Sequence, residues 1–155
     1  MKSLKKLLAI TLLATAPAIS QAEGTQQELS QALFLTAHIG HMPSAIQLVQ
    51  EGADVNYIDK ARQTPLHAAS SHGHMRIVHF LHSKGAVLNP RTVDNWIPLH
   101  SAVRFGHTDV ANYLLTNGAP LNVKTKTGQT VFDIARATRN SGMTNLLETW
   151  RSRRQ

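Results

Sequence analysis

Histidine is the residue type with the most chemical potential in this chain, because the 155 residues include nine histidines and no cysteine. Imidazole nitrogens bind transition metals and haem iron, and they carry protons near neutral pH. Such a site needs several ligands that converge on one ion at about 2 Å. No carboxylate or thiol accompanies the histidines at a ligand spacing, so we predict no metal, haem or other cofactor. The histidines nearest to forming such a site are His38, His41, His72 and His74.

The residue patterns that commonly build an active site are also missing. The chain has no Gly-x-Ser-x-Gly turn, no phosphate-binding glycine-rich loop and no His-Glu-x-x-His pair. Ser70, Ser71 and Ser101 have histidines nearby, but no acidic residue is placed to orient those histidines. We therefore predict that the protein is not an enzyme.

The positive charge of the chain, formally +7, is concentrated at its two ends. Six of the sixteen basic residues lie there, which leaves ten basic residues against nine acidic ones between the ends. A nearly neutral body does not offer a broad phosphate-binding surface, so we expect no nucleic-acid partner. The basic residues after the last predicted helix, in 151–155, are expected to form a frayed, solvated tail.

The first 22 residues have the organisation of a secretory signal peptide. A basic start, 1–6, precedes an apolar run, 7–19, which is too short to span a hydrocarbon core of about 30 Å. Ser20 and Ala22 place small residues where a signal peptide is cut. We therefore predict cleavage after Ala22, a periplasmic or secreted protein, and no stable membrane insertion after cleavage.

An internal repeat with a step of 33 residues organises the remaining chain. Several residue types recur in that register: Gly40, Gly73 and Gly106, each before a histidine; Gly52, Gly85 and Gly118, each before an alanine; and Asn56, Asn89 and Asn122. So many independent features in one register indicate a true repeat, and repeats of this length stack into solenoids.

Each unit is predicted to contain two short helices and an extended turn. In the best-preserved unit, Thr64 is a good N-cap and Pro65 suits the first helical position. Gly73 can end that helix in the left-handed conformation. The apolar spacing over 75–81 predicts a second helix, and Ala86–Trp96, with a proline and turn residues, predicts an extended turn.

The segment Thr64-Pro65-Leu66-His67-Ala68-Ala69 resembles the signature of the ankyrin-repeat family, and Ile97-Pro98-Leu99-His100-Ser101-Ala102 lacks only its threonine. The resemblance implies an all-α solenoid of helix-turn-helix repeats over 23–150. Four repeats are expected, with degenerate capping units at both ends: approximately 28–60, 61–93, 94–126 and 127–150.

The resemblance also implies structural roles for the five histidines at signature positions, which in ankyrin proteins hydrogen-bond loops and neighbouring repeats: His41, His67, His74, His100 and His107. Of the others, His82 occupies an apolar register position and should be partly buried with a hydrogen-bond partner. His79 should be solvated.

A protein-binding surface is the remaining functional expectation. Ankyrin proteins usually bind partners through turn tips and the adjoining first helices, and the tips fall at 57–63, 90–96 and 123–129. Trp96 stands among polar equivalents, and aromatic residues and arginine dominate interface hot spots. The residues predicted to contact a partner are Trp96, Arg104, Phe105 and His72, with Arg62, Arg91, Lys124 and Lys126 making the tips basic.

The chain is therefore expected to be an exported, monomeric ankyrin-repeat protein whose function is to bind another protein. Two other roles fit the family and size. One is a periplasmic accessory protein that supports an oxidative-stress enzyme such as catalase through haem or metal handling. The other is a secreted effector that binds host proteins.

Overall fold

The computed structural model describes residues 18–154, with side chains described from residue 25. This part of the chain is all-helical and contains no strand, which confirms the predicted fold class. Residues 1–17 of the predicted signal peptide lie outside the described residues, and its remaining residues, 18–22, lie in the first described helix. The helices are α1 (Ala18–Ile39), α2 (Met42–Gln50), α3 (Pro65–Ser71), α4 (Met75–Ser83), α5 (Pro98–Phe105), α6 (Thr108–Thr116), α7 (Val131–Ala137) and α8 (Ser141–Arg153).

The helices form two parallel layers. The first helix of each unit packs on the next, giving an inner row of α1, α3, α5 and α7. The second helices, α2, α4, α6 and α8, form an outer row and pack back on their own inner partners. Two-turn helices cannot bury an apolar face alone, so the stack itself creates the core. That core is continuous from Leu33 in α1 to Leu147 in α8, both fully buried.

The start of α3 shows how the signature residues build an inner helix. Thr64 adopts an extended conformation, and its side chain accepts a hydrogen bond from the backbone N–H of His67. In return, Nδ1 of His67 accepts from the Thr64 N–H at 3.2 Å. This reciprocal capping satisfies two amides that the helix leaves unpaired. The predicted N-cap is therefore confirmed.

The start of α5 keeps only half of this arrangement. Nδ1 of His100 accepts a hydrogen bond from the Ile97 N–H at 3.2 Å, but the side chain of Ile97 has no oxygen to cap the helix. Ile97 is instead fully buried in the core. Burial of an isoleucine contributes about 1.5–3 kcal/mol. This gain is comparable to the cost of the missing cap.

The glycines that end the inner helices leave room for a histidine from the next unit. Gly40 and Gly73 have positive φ angles of 90° and 70°, as the left-handed end of a helix requires. A Cβ atom at Gly40 would overlap the ring of His74, and one at Gly73 would overlap the ring of His107. Glycine is therefore needed at these positions for its conformation and for its small size.

The C-terminal segment differs from the expected frayed tail. Helix α8 continues to Arg153, and the guanidinium of Arg154 donates hydrogen bonds to the carbonyls of Ala119 and Leu115 at 2.9 and 2.8 Å. These carbonyls lie at and just beyond the end of α6, where positive charge is favourable. The basic residues are solvent-exposed, but they extend the last helix and cap a neighbouring one. No helix within 18–154 is both long and apolar enough to cross a membrane.

We expect Thr64→Ala to lower the free energy of unfolding by about 1–2 kcal/mol, because it removes the α3 cap in the middle of the stack. Urea denaturation followed by helical circular dichroism measures this change. Thr64→Ser, which keeps the hydroxyl, is the matched control and should lose much less. Equal losses in both variants would show that the hydroxyl is not what stabilises the helix start.

Candidate binding groove

A groove crosses the inner helices where they meet the turn tips. Its volume is about 390 Å³, and its wall includes residues from α1, α3, α5 and the tips on either side. A second cavity, of about 510 Å³, continues from it over the next tip. The two cavities share Asp94, Trp96 and Arg104, so they form one continuous surface.

Three of the predicted binding residues meet at the α5 end of this groove. The guanidinium of Arg104 lies 5.6 Å from the ring centre of Trp96 and 6.0 Å from that of Phe105. Contacts of this kind between a cation and aromatic rings hold the side chains in place. Phe105 is 57% exposed, which is high for a phenylalanine. Trp96 is only half-buried and packs against the core, so it contributes both to the groove and to the stability of its tip.

His38 and His72 line the opposite end of the groove, and His74 lies beside His72. The ring centres of His38 and His72 are 3.9 Å apart, and those of His72 and His74 are 5.9 Å apart. Nδ1 of His72 donates to the carbonyl of Ala68 at 3.0 Å, so Nε2 is free to act as an acceptor in the neutral ring. Within the described chain, neither ring nitrogen of His38 has a hydrogen-bond partner. Burial, and then the nearby His72 and His74, lower the pKa of His38.

Other histidines tie successive units together. Nε2 of His67 donates to the carbonyl of Trp96 at 3.2 Å, and Nε2 of His100 donates to the carbonyl of Val123 at 3.1 Å. His74 and His107 bind the carbonyls of His38 and Ser71 in the preceding units, both at 3.0 Å. The bridging role expected of these four signature histidines is therefore what the structure shows. His41 acts locally, as the N-cap of α2, through a hydrogen bond from the Ser44 amide.

The two buried histidines must remain neutral to keep these bonds. In His67, Nε2 carries the donated proton, while Nδ1 needs its lone pair to accept the Thr64 amide. Burial lowers the pKa of His67 to about 4, although the hydrogen bond to the Trp96 carbonyl opposes the shift. Burial also lowers the pKa of His100, with a further contribution from Arg91.

The outer row contains a related contact. Nδ1 of His82 lies 2.8 Å from the hydroxyl of Tyr113, and both side chains are partly buried. His79 is exposed beside the same tyrosine. The predictions for His82 and His79 are both confirmed.

The basic tip residues divide into two groups. Lys126 lines the second cavity, whereas Arg62, Arg91 and Lys124 are exposed on the tips outside the groove lining. Arg91 has a local partner, since its guanidinium donates to Oδ1 of Asn95 at 2.7 Å. The structure thus brings together His72, Trp96, Arg104, Phe105 and Lys126 and leaves the other three basic residues at the rim.

Phe34 also lines the groove and was not predicted, and Val93 and Asp94 lie within the predicted tip 90–96 but were not singled out. The repeat register contains a signal for Phe34, because it occupies the position of His67 and His100 one unit earlier. In the first unit an aromatic ring therefore replaces the bridging histidine and packs edge-on against Tyr57. No sequence signal marks Val93 or Asp94, whose placement depends on how the tip folds over α3.

The histidines nearest to a metal site do not converge on one point. Among the side chains that the structure describes, residues 25–154, no group of three or more histidines, aspartates or glutamates is arranged to hold a metal ion. His41 and His74 use ring nitrogens to bond Ser44 and a backbone carbonyl, respectively. His38 and His72 form a close pair, and both residues line the groove.

We expect the free energy of unfolding to fall as pH is lowered from 6.5 towards 4. The unfolded chain takes up a proton at His67 near pH 6.5, but the folded chain resists that proton down to about pH 4, so acid favours unfolding. The contribution of neutral His67 to the free energy of unfolding is fully present above pH 6.5. Lowering the pH to about 4 removes about 3 kcal/mol of this contribution. Urea titrations at several pH values measure the slope.

The matched variants for this measurement are His67→Gln and the exposed His79→Gln. His67→Gln should lower stability at pH 7 and flatten the pH dependence. His79→Gln should leave both nearly unchanged. A pH slope that survives in His67→Gln would assign the acid sensitivity to other groups.

Comparison with known protein families agrees with the helical architecture. A family model described as ankyrin repeats (three copies) matches residues 33–127, which is more than half of the chain and includes α3, α5 and the end of α1. No curated protein matches the chain. Ankyrin repeats generally mediate protein–protein interactions and are typically non-enzymatic. The chain belongs to the ankyrin-repeat family.

Proposed function

We propose that this protein binds a protein partner in the groove between its inner helices and turn tips. The observation that carries the proposal is the group formed by Trp96, Arg104 and Phe105, in which the guanidinium lies within 6.0 Å of two aromatic ring centres at the surface. Aromatic and arginine side chains of this kind supply most of the binding energy at protein interfaces. Phe105 is largely exposed, so its apolar surface is in contact with water. A bound partner would cover that surface, which favours binding.

The groove is preorganised by hydrogen bonds between successive tips. The amide of Val93 donates to the carbonyl of Ala61 at 3.0 Å, and the amide of Lys126 donates to the carbonyl of Asp94 at 2.8 Å. The side chain of Asn95 adds a bond to the carbonyl of Lys124 at 2.6 Å. A rigid surface loses little conformational entropy on binding, which favours affinity without chemistry.

The rim favours an acidic partner on encounter. Arg62, Arg91, Lys124 and Lys126 are all exposed on the tips, and none forms an ion pair with another described residue. Charges at a rim mainly raise the association rate and contribute little to final affinity. We therefore assign the rim to steering and the groove to affinity.

We further propose that the protein is exported and works as a monomer in the periplasm or outside the cell. Support comes from the sequence: a basic start, a short apolar run and small residues before the expected cleavage after Ala22. N-terminal sequencing of the protein purified from the exported fraction tests this directly. A mature chain that still begins at Met1 would contradict cleavage.

We expect Phe105→Ala to weaken partner capture at least tenfold, with no loss of helical signal, because Phe105 is exposed and supports little of the core. The measurement is a pull-down with tagged protein from the exported fraction, with the captured partner identified by mass. Val87→Ala removes an exposed apolar side chain away from the groove and is the matched control.

Trp96→Ala is a less specific variant than Phe105→Ala, because half of the tryptophan packs against the core and its loss also lowers stability. Its capture should therefore be measured at a temperature where the helical signal is intact. Normal capture by Phe105→Ala and Trp96→Ala together would show that the partner binds elsewhere.

A further inference from the structure

The groove carries two different chemistries at its two ends. At the α5 end, Trp96 and Phe105 offer aromatic surface beside Arg104. At the α1–α3 end, the exposed imidazoles of His38 and His72 lie close together. Given the protein-binding role proposed above, on which this step rests, the chemistry of the two ends specifies the chemistry of the bound segment.

We propose that the groove binds an extended acidic peptide segment, with an apolar side chain against Trp96 and Phe105 and a carboxylate hydrogen-bonded to both His38 and His72. The two ends of the groove are formed by α5 and by the neighbouring α1–α3 pair. Stacked helices lie about 10 Å apart. An extended chain covers this distance in about three residues. The carboxylate and the apolar side chain are therefore separated by about three residues in the partner.

Charge complementarity favours an acidic occupant over a neutral or basic one. The continuous groove contains the cations Arg104 and Lys126 and the anion Asp94, so it is positive even when its histidines are neutral. Both aromatic contacts of Arg104 lie on the ring faces, and no carboxylate among the side chains described over 25–154 pairs with its guanidinium. Its N–H groups therefore remain available to a carboxylate of the partner.

The histidine pair makes the same site sensitive to acid. In the free protein, two imidazolium rings 3.9 Å apart would repel each other, and His74 adds to that repulsion. Burial, and then this repulsion, lower the pKa of His38. A bound carboxylate would neutralise the repulsion and accept hydrogen bonds from both rings, including Nε2 of His72. Binding and protonation therefore favour each other.

The other titratable groups around this pair do not reverse the sign. His67 lies in the groove floor, but its pKa of about 4 keeps it neutral throughout the range considered. Asp94, Arg104 and Lys126 also face the groove, but carboxylate, guanidinium and ammonium groups do not ordinarily change charge between pH 7.5 and 5.5. Imidazole is the side chain that ordinarily does.

A selection experiment tests the proposal with a defined probe. The purified protein is immobilised, a phage-displayed library of random dodecapeptides is bound at pH 5.5, and bound phage are eluted with excess soluble protein at the same pH. We expect enriched sequences with Asp or Glu about three residues from a large apolar residue. One enriched peptide and its Asn/Gln counterpart are then synthesised, and their affinities are measured by calorimetry.

The acidic peptide should bind several-fold more tightly at pH 5.5 than at pH 7.5, because a bound carboxylate favours the protonated imidazoles. Calorimetry in buffers of different ionisation enthalpy should show net proton uptake. The Asn/Gln peptide should lose this pH dependence. The double variant His38→Gln, His72→Gln should lose it too, while His79→Gln, on the outer row, keeps it.

The outcomes separate this inference from the proposed function. Peptides that require Phe105 but show no acidic preference or proton uptake would overturn the acidic-segment proposal and leave the groove as the binding site. Peptides whose binding ignores Phe105→Ala, or a selection that enriches no sequence, would overturn the groove itself. Circular dichroism of each variant at pH 5.5 shows that the fold is intact during binding.

Discussion

The stack depends on neutral imidazoles that bridge one repeat to the next. His67 and His100 each use one ring nitrogen to accept the amide that begins their own helix and the other to donate to a carbonyl in the next unit. Each ring therefore fixes the start of an inner helix and its distance from the following tip. No charged or aliphatic side chain can both accept and donate in this way, because only neutral imidazole carries one donor and one acceptor on opposite sides of a small ring.

The repeat register predicted most of the fold because it reflects local and nearest-neighbour constraints. Thr64, Pro65 and Gly73 specify a helix start and end through their own chemistry, and the structure places α3 between them. The 33-residue step then transfers that result to the other units. The register could not show that α8 extends through Arg153, because this helix lies at an end of the stack where the pattern is degenerate.

The groove was only partly predictable for a related reason. Trp96, Arg104 and Phe105 stand out because they are unusual among their equivalents in other repeats, and all three line the cavity. The proximity of His38 to His72 depends on how α1 packs against α3, although their sequence separation suggested it. Hydrogen bonds between successive tips place Asp94 and Val93 in the groove. No single sequence position predicts these bonds.

Histidine therefore has two opposite relations to protons in one small domain. Buried bridging rings lose their function when protonated, so acid weakens the stack. Exposed groove rings would gain function when protonated, so acid strengthens the proposed binding. There is therefore a window of mildly acidic pH in which the groove histidines would be protonated while the buried bridging histidines stay neutral and the stack remains folded. A bound acidic segment would widen that window, because a ligand that binds only the folded chain stabilises it.

The bridging hydrogen bonds join residues only 23 to 36 positions apart along the chain. Contacts of such short range correspond to a low contact order, so folding should be fast and should spread from any neighbouring pair of repeats. The end units lack the bridging imidazole, since Phe34 and Asp133 occupy its position. Fluctuations should therefore begin at the ends. One wall of the groove belongs to the N-terminal unit, and access to the groove is thus coupled to the earliest step of unfolding.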